Sequence, residues 1–266
     1  MDMHLEFQGK TVLITGGASG MGLLAGQCYA RSGANVVLAD LNTEALEACV
    51  AEIASYPAQV LGVTVDVRDY ESVCRARDAA VEKFGSIDIL INFAGGAETR
   101  ILKAKGEFHE VPVEVYDFGI DLNLKGALHF DHAVMAQMAK QMSGVIVHLG
   151  SITGEEGSSK NIAYSASKSA LMNGMTKSIA MAGAPYNVRC ICVSPGPVLT
   201  RQAMSQMKTL MGRAAEPQEL VDFILFATSD KGAFMTGTDY LIDGGRNVLR
   251  NKNADPKPKT PETAEK

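Results

Sequence analysis

The chain contains no tryptophan, and aromatic residues fill only 6% of its 266 positions. A core without large rings has to be assembled from Ala, Val, Ile, Leu and Met. A surplus of positive charge is also missing: 25 Lys and Arg face 30 Asp and Glu, a formal net charge of −5. Nucleic-acid binding relies on a cationic field that neutralises phosphates, so no nucleic-acid partner is expected. No apolar run approaches the length of about 18 residues that marks a bilayer span. The opening MDMHLEFQGK has neither the basic nor the apolar region of a secretory leader. These features predict a cytoplasmic protein with no membrane partner.

Cysteine is sparse as well. Cys28, Cys49, Cys74, Cys190 and Cys192 are scattered, and only the last two are close. Their C-x-C spacing within VRCICVSP points both to one face of a strand. No C-x-x-C or clustered His accompanies them, so buried free thiols are expected and no metal site.

What is present is an alternation. Short apolar strands (KTVLIT, NVVLAD, VLGVTVDV, IDILINFAG, GVIVHLGS, VRCICVSP, DYLIDGG) are separated by helix-length stretches. Helices are predicted over residues 21–31, from a Thr43 cap through NTEALEACVAEIAS, over YESVCRARDAAVEKFG, and over 113–141, 164–182 and 218–229. Strands that are apolar throughout and alternate with amphipathic helices predict an α/β fold: a doubly wound parallel sheet with helices on both faces. No linker divides it, so a single domain over 1–248 is expected. The remainder, 249–266, is rich in Pro, Lys and acids and is expected to be a disordered tail.

Between the first strand and first helix lies TGGASGMG, Thr15 to Gly22. Gly16, Gly20 and Gly22 allow positive φ and close backbone approach, and the following helix offers free N–H groups to a pyrophosphate. Asp40 ends the second strand, where a carboxylate can accept from adenosine ribose hydroxyls. A 2′-phosphate there would meet a negative charge, position 41 is Leu, and 17–19 read Gly-Ala-Ser. NAD(H) is therefore the expected cofactor.

In NIAYSASKSA, Tyr164 and Lys168 are one helical turn apart. An ammonium beside a phenol favours its ionised form. The same residues contain S-x-x-K, Ser165 to Lys168, but no S-D-N or K-T-G follows, and a serine-acylating enzyme is rejected.

These motifs, taken in order, resemble the compact branch of the short-chain dehydrogenase/reductases over roughly residues 7–246. Carrying the resemblance are TGGASGMG, Asp66-Val67, Asn123 in DLNLKG, Ser151 thirteen residues before Tyr164, YSASK, NVRC, PGPVLT and TGTDYLIDGG. One departure is NFAG at Asn92–Gly95, where Phe93 replaces the usual second Asn.

The resemblance implies a Rossmann-like fold and an NAD(H)-dependent oxidoreductase that interconverts a secondary alcohol and a ketone. Tyr164 would be the acid/base. Lys168 would tune it and bind the nicotinamide ribose, Ser151 would hold the substrate oxygen, and Asn123 would hold a relay water. The implied cofactor contacts are Gly16, Ser19, Gly20, Met21 and Gly22; Asp40 and Leu41; Asp66 and Val67; Asn92, Ala94 and Gly95; and Pro195, Gly196, Val198 and Thr200. Tyr164 and Lys168 complete that set. A homotetramer is implied too, with the Ser169–Ala184 stretch as a candidate interface.

Three segments are expected to line the substrate crevice: GAETRILKAKGEFHEVP, ITGEEGSSKN and RQAMSQMKTLMGR. In the third, Met204, Met207, Leu210 and Met211 would share one face of a short helix, a lid suited to a bulky or cyclic apolar substrate. Polyol or sugar-acid oxidation, 3-oxoacyl reduction and a dinucleotide-sensing scaffold are the alternatives.

Overall fold

The computed structural model describes residues 7–56 and 58–249; the expected tail from residue 250 onward lies outside them. Seven parallel strands form one sheet in the order β3-β2-β1-β4-β5-β6-β7. In chain order the elements are β1 (Thr11–Thr15), α1 (Gly20–Arg31), β2 (Asn35–Asp40), α2 (Thr43–Ile53), β3 (Val60–Thr64), α3 (Tyr70–Phe84) and β4 (Ile89–Asn92). Then come α4 (Glu98–Ile101), α5 (Val113–Ile120), α6 (Gly126–Gln141), β5 (Gly144–Leu149), α7 (Ile152–Glu156) and α8 (Ile162–Ala170). The last are α9 (Thr176–Gly183), β6 (Val188–Pro195), α10 (Pro217–Thr228) and β7 (Asp239–Ile242).

Alternation along each strand feeds two cores. Val12, Ile14, Val36 and Leu38 face the layer of α1, α2 and α10. Leu13, Val37 and Ala39 face α3 and α6, where Phe130, Val134 and Met138 are buried. Both sheet faces are covered, which is why the strands read as unbroken apolar runs. The strand order reverses between β1 and β4. A crevice opens at the carboxyl ends of the strands at such a point.

The predicted 113–141 helix is α5 and α6 joined by a π-helical turn, Asp121–Lys125; α8 and α9 are joined the same way by Leu171–Met175. Such turns insert a residue without ending the helix, so periodicity alone does not reveal them. Two expectations are corrected. The α2 cap is Asn42, whose Oδ1 accepts from the Ala45 amide at 3.1 Å, and Thr43 is the first helical residue. The methionine face does not form. Only Gln202–Gln206 is helical, as a 3-10 turn, and Met207 leaves it with extended φ/ψ. Helical spacing cannot align residues beyond the helix. Among the described residues, no helix is long and apolar enough to cross a membrane.

Candidate active site

The crevice contains a cleft of about 390 Å³. One wall is the β1–α1 turn with Gly16, Ser19, Gly20, Met21 and Gly22; the far end holds Asp40, Leu41, Asp66 and Val67; the near wall holds Phe93, Ala94 and Gly95. Gly22 admits no side chain, because a Cβ there would stand 2.2 Å from the Gly16 oxygen. Ser19, at the N-cap of α1, makes no side-chain capping bond, so the helix faces the cleft with its first amides uncapped.

Asp40 is held by two backbone donors, the Ala18 amide on Oδ2 and the Asn42 amide on Oδ1, both at 3.0 Å. This ties the glycine turn to the end of β2. Asp66 is paired at both oxygens by Arg68, whose guanidinium also lies 5.1 Å from the Phe118 ring centre. Hydrogen bonds from the Arg68 side chain hold the Asp66 carboxyl below its ordinary range, outweighing burial.

Ser151, Tyr164 and Lys168 come from two elements and meet. Ser151 follows β5, and its Oγ caps α7 by accepting from the Thr153 amide at 3.1 Å. On α8, the Lys168 ammonium is buried, donates to the Leu149 carbonyl at 2.6 Å and lies 5.5 Å from the centre of the Tyr164 ring. Burial brings the Lys168 pKa down to about 8. For Tyr164, burial pushes the phenol above its ordinary value; the nearby Ser151 hydroxyl and the charges of Arg201 and Arg100 oppose this, and Glu98 adds to it. An expectation is corrected here: in the protein alone, desolvation outweighs every neighbouring cation, and the phenol holds its proton more tightly than a free one.

Asn123 lies in the π turn with its side chain committed to backbone. Oδ1 accepts from the Gly96 amide at 2.8 Å, and Nδ2 donates to the Gly96 and Gly119 carbonyls at 3.0 and 2.9 Å. The Gly95 φ is +154°, and a Cβ there would fall 2.6 Å from Asn123 Oδ1. Asn123 thus fastens the Gly95–Gly96 loop to the helices behind it.

Other residues stand apart from the cleft wall. Asn92 turns into the core, donating to Asp131 at 2.9 Å. Pro195, Gly196, Val198 and Thr200 form the strand end and loop after β6, where Val198 pairs with Ala215. Ser165 donates to the Thr153 carbonyl at 2.9 Å, away from Lys168. Cys190 and Cys192 are buried and free, and among the described residues no cluster of His, Cys, Asp and Glu could hold a metal.

Sequence reasoning missed Glu98, Arg201 and the core network of Asp131, His148 and Thr176. Glu98 and Arg201 lie in segments expected only as crevice lining, and no local motif marks Asp131, His148 or Thr176.

Comparison with known proteins agrees with this geometry. A family model described as short chain dehydrogenase matches residues 10–210. The trans-4-hydroxycyclohexanecarboxylate dehydrogenase of Sinomonas cyclohexanicum is 37% identical over 256 residues, 92% of this chain and 96% of that protein. The D-threitol dehydrogenase of Mycolicibacterium smegmatis is 33% identical, covering 93% and 96%. NAD+-bound xylitol dehydrogenase superposes with a TM-score of 0.82 at 29% identity, over 90% of this chain and 99% of that one. The L-sorbose reductase of Gluconobacter frateurii, complexed with NADPH and L-sorbose, gives 0.84 at 27% identity, over 94% and 100%. A parallel sheet with a glycine-walled cleft at its switch point, and a match over most of the chain, lead to one conclusion: this protein belongs to the short-chain dehydrogenase/reductase family.

Proposed function

We propose that this protein is an NAD(H)-dependent oxidoreductase that interconverts a secondary alcohol and a ketone, with Tyr164 as the acid/base. The observation that carries this reading is the meeting of Ser151, Tyr164 and Lys168 beside a glycine-walled cleft. The residues present fit a dinucleotide: the uncapped α1 amides and Gly16–Gly22 would take the pyrophosphate, Asp40 and Leu41 the adenosine ribose, and Asp66 and Val67 the adenine. Ala94 and Gly95 would shape the central wall, with Asn92 behind it in the core. Lys168 and Tyr164 would hold the nicotinamide ribose, and Pro195, Gly196, Val198 and Thr200 the carboxamide end. When bound, the dinucleotide supplies the hydride acceptor or donor.

The chain's own residues manage the proton. Ser151 Oγ orients the substrate oxygen and stabilises charge developing there. Tyr164 Oη takes or gives the proton of that oxygen, a role worth about 10²–10⁴-fold in rate. Moving a phenol from about 10 to near neutrality requires about 4 kcal/mol. Because burial acts the other way here, the positive charges around Tyr164 have to do that work together.

For substrate, the guanidinium groups of Arg100 and Arg201 both act on Tyr164, and among the described residues neither pairs with a carboxylate. This supports a carboxylate-bearing cyclic alcohol, the class named for the Sinomonas relative. A polyol is the second reading, favoured by likeness to the threitol and xylitol dehydrogenases. Exposed Leu128 and Met181 on α6 and α9 support self-association, and we propose a cytoplasmic homotetramer whose mass light scattering would measure.

The test is reduction of NAD and NADP with a panel of cyclic hydroxy acids, polyols and hydroxysteroids, repeated with Tyr164→Phe. The variant should lose at least about 100-fold in kcat and bind NADH as before. Substantial turnover without the phenol would place the acid elsewhere.

A further inference from the structure

Glu98 opens α4 and is wholly buried. Its Oε1 accepts from the Ala163 amide at 3.0 Å, and its Oε2 from the Tyr164 amide at 3.1 Å. These amides belong to the first turn of α8, where no helical carbonyl can reach them. The residue before that helix, Asn161, makes no side-chain cap; its Oδ1 accepts from Thr99 Oγ1 at 2.5 Å instead. The helix that carries Tyr164 is therefore capped from another part of the chain, by a carboxylate 65 residues away.

The fit is tight on the other side. A Cβ on Gly119 of α5 would fall 2.7 Å from the Ala163 Cβ and 3.0 Å from the Glu98 Cβ. Only glycine leaves room for the stem of the Glu98 side chain between α5 and α8. Among the described residues no Lys or Arg pairs with Glu98. Its charge is met by two amides and the positive end of the α8 dipole, an arrangement that satisfies a buried anion without a salt bridge.

We propose that Glu98 is the positioning residue for Tyr164: its buried carboxylate grips the first turn of α8 and sets where the phenol stands beside the cleft. The proposal rests on the reading of Tyr164 as acid/base. One of the two gripped amides is that of Tyr164 itself, so a slip at Glu98 moves the proton donor directly. A displacement of about 1 Å at such a group can reduce rate about 100-fold. The charge matters as well. The groups acting on the phenol are Ser151 ahead of α7, Arg201 after β6, and Arg100 and Glu98 from α4, with Lys168 beside it on α8. Among them Glu98 is the anion.

The test compares Glu98→Gln and Glu98→Asp with the wild type in three readouts: kcat and KM separately, the phenolate absorbance titration of each protein minus that of its Tyr164→Phe form, and melting temperature. Glu98→Gln keeps the volume, removes the charge and turns one acceptor into a donor. It should lower kcat at least about tenfold with the dinucleotide KM within about twofold, and move the Tyr164 midpoint to lower pH. Glu98→Asp keeps the charge but not the reach; kcat should fall while the midpoint stays nearer the wild-type value. A folded Glu98→Gln protein with wild-type kcat and an unmoved midpoint overturns the proposal. So does a loss of kcat that follows melting temperature alone. If Glu98→Gln does not fold, Gly119→Ala decides by crowding the same side chain from α5: reduced kcat in a folded protein supports the proposal, and wild-type kcat sinks it. A wild-type protein without nicotinamide-linked turnover would remove the acid/base reading, and the titration would still judge the effect of Glu98 on the phenol.

Discussion

His148 Nε2 lies 2.7 Å from Asp131 Oδ2, with both side chains fully shielded from solvent. Thr176 uses its hydroxyl hydrogen on the Leu171 carbonyl at 2.6 Å, so its oxygen accepts from His148 Nδ1 at 2.8 Å. Both ring nitrogens then donate, and the imidazole is a cation. Burial alone would lower its pKa, but the Asp131 charge overrides this and holds it well above the ordinary value. The pair joins β5 to α6 and, through Thr176, to the start of α9. Its stability contribution is complete below about pH 6.5, the unfolded histidine value, and fades as pH rises through the folded one. Asp131→Asn leaves a buried charge unpaired and should cost about 3–5 kcal/mol, read by denaturant melts at pH 6. The deficit should shrink as pH rises.

Lys168 gives the opposite sign. Its pKa of about 8 in the folded protein is below the unfolded value, so the unfolded chain binds more protons between about pH 8 and 10.4. Below pH 8 the buried ammonium opposes folding, and the penalty is relieved as pH rises through that window. Lys168→Met, measured without cofactor, should gain about 1–2 kcal/mol at pH 7 after allowing for the lost bond to Leu149, and lose the gain by pH 10.4. Turnover should collapse. Calorimetry at both pH values checks the first part, and initial rates the second.

Asp40 should control cofactor choice. Asp40→Ser keeps a short acceptor near the Ala18 amide and removes the charge that would repel a 2′-phosphate. The ratio of kcat/KM for NADP over NAD should rise about tenfold or more, corresponding to about 1.4 kcal/mol. An unchanged ratio would show that discrimination lies elsewhere.

Arg100 and Arg201 should distinguish substrates by charge. Replacing either with Met should raise KM for a hydroxy acid about tenfold, with a smaller effect on a neutral alcohol of the same ring size. The hydroxy acid should also lose more kcat/KM on adding salt, since exposed charges are screened over about 10 Å at 0.1 M. Equal effects on both substrates would leave the arginines without a role in specificity.

Much of the fold was legible because each strand is short, apolar on both faces and bounded by turn residues: NVVLAD and VRCICVSP coincide with β2 and β6. The methionine segment misled because spacing was read as a helix where the chain lacks the backbone bonds to continue one. The elements α4 and α7 are too short to show a period, yet they carry Glu98 and the Ser151 cap.

The linear order of residues by itself determined the alternation of strands and helices, the glycine turn after β1, the acid at position 40 that ends β2, and the one-turn spacing of Tyr164 and Lys168, since each is a pattern along the chain. Tertiary structure alone decided the balance of charge at the phenol. Desolvation, the Arg100 and Arg201 guanidinium groups and the Glu98 carboxylate reach Tyr164 from segments far away in the chain. Electrostatic energy depends on distance through space and on burial, and neither can be read from neighbours along the backbone.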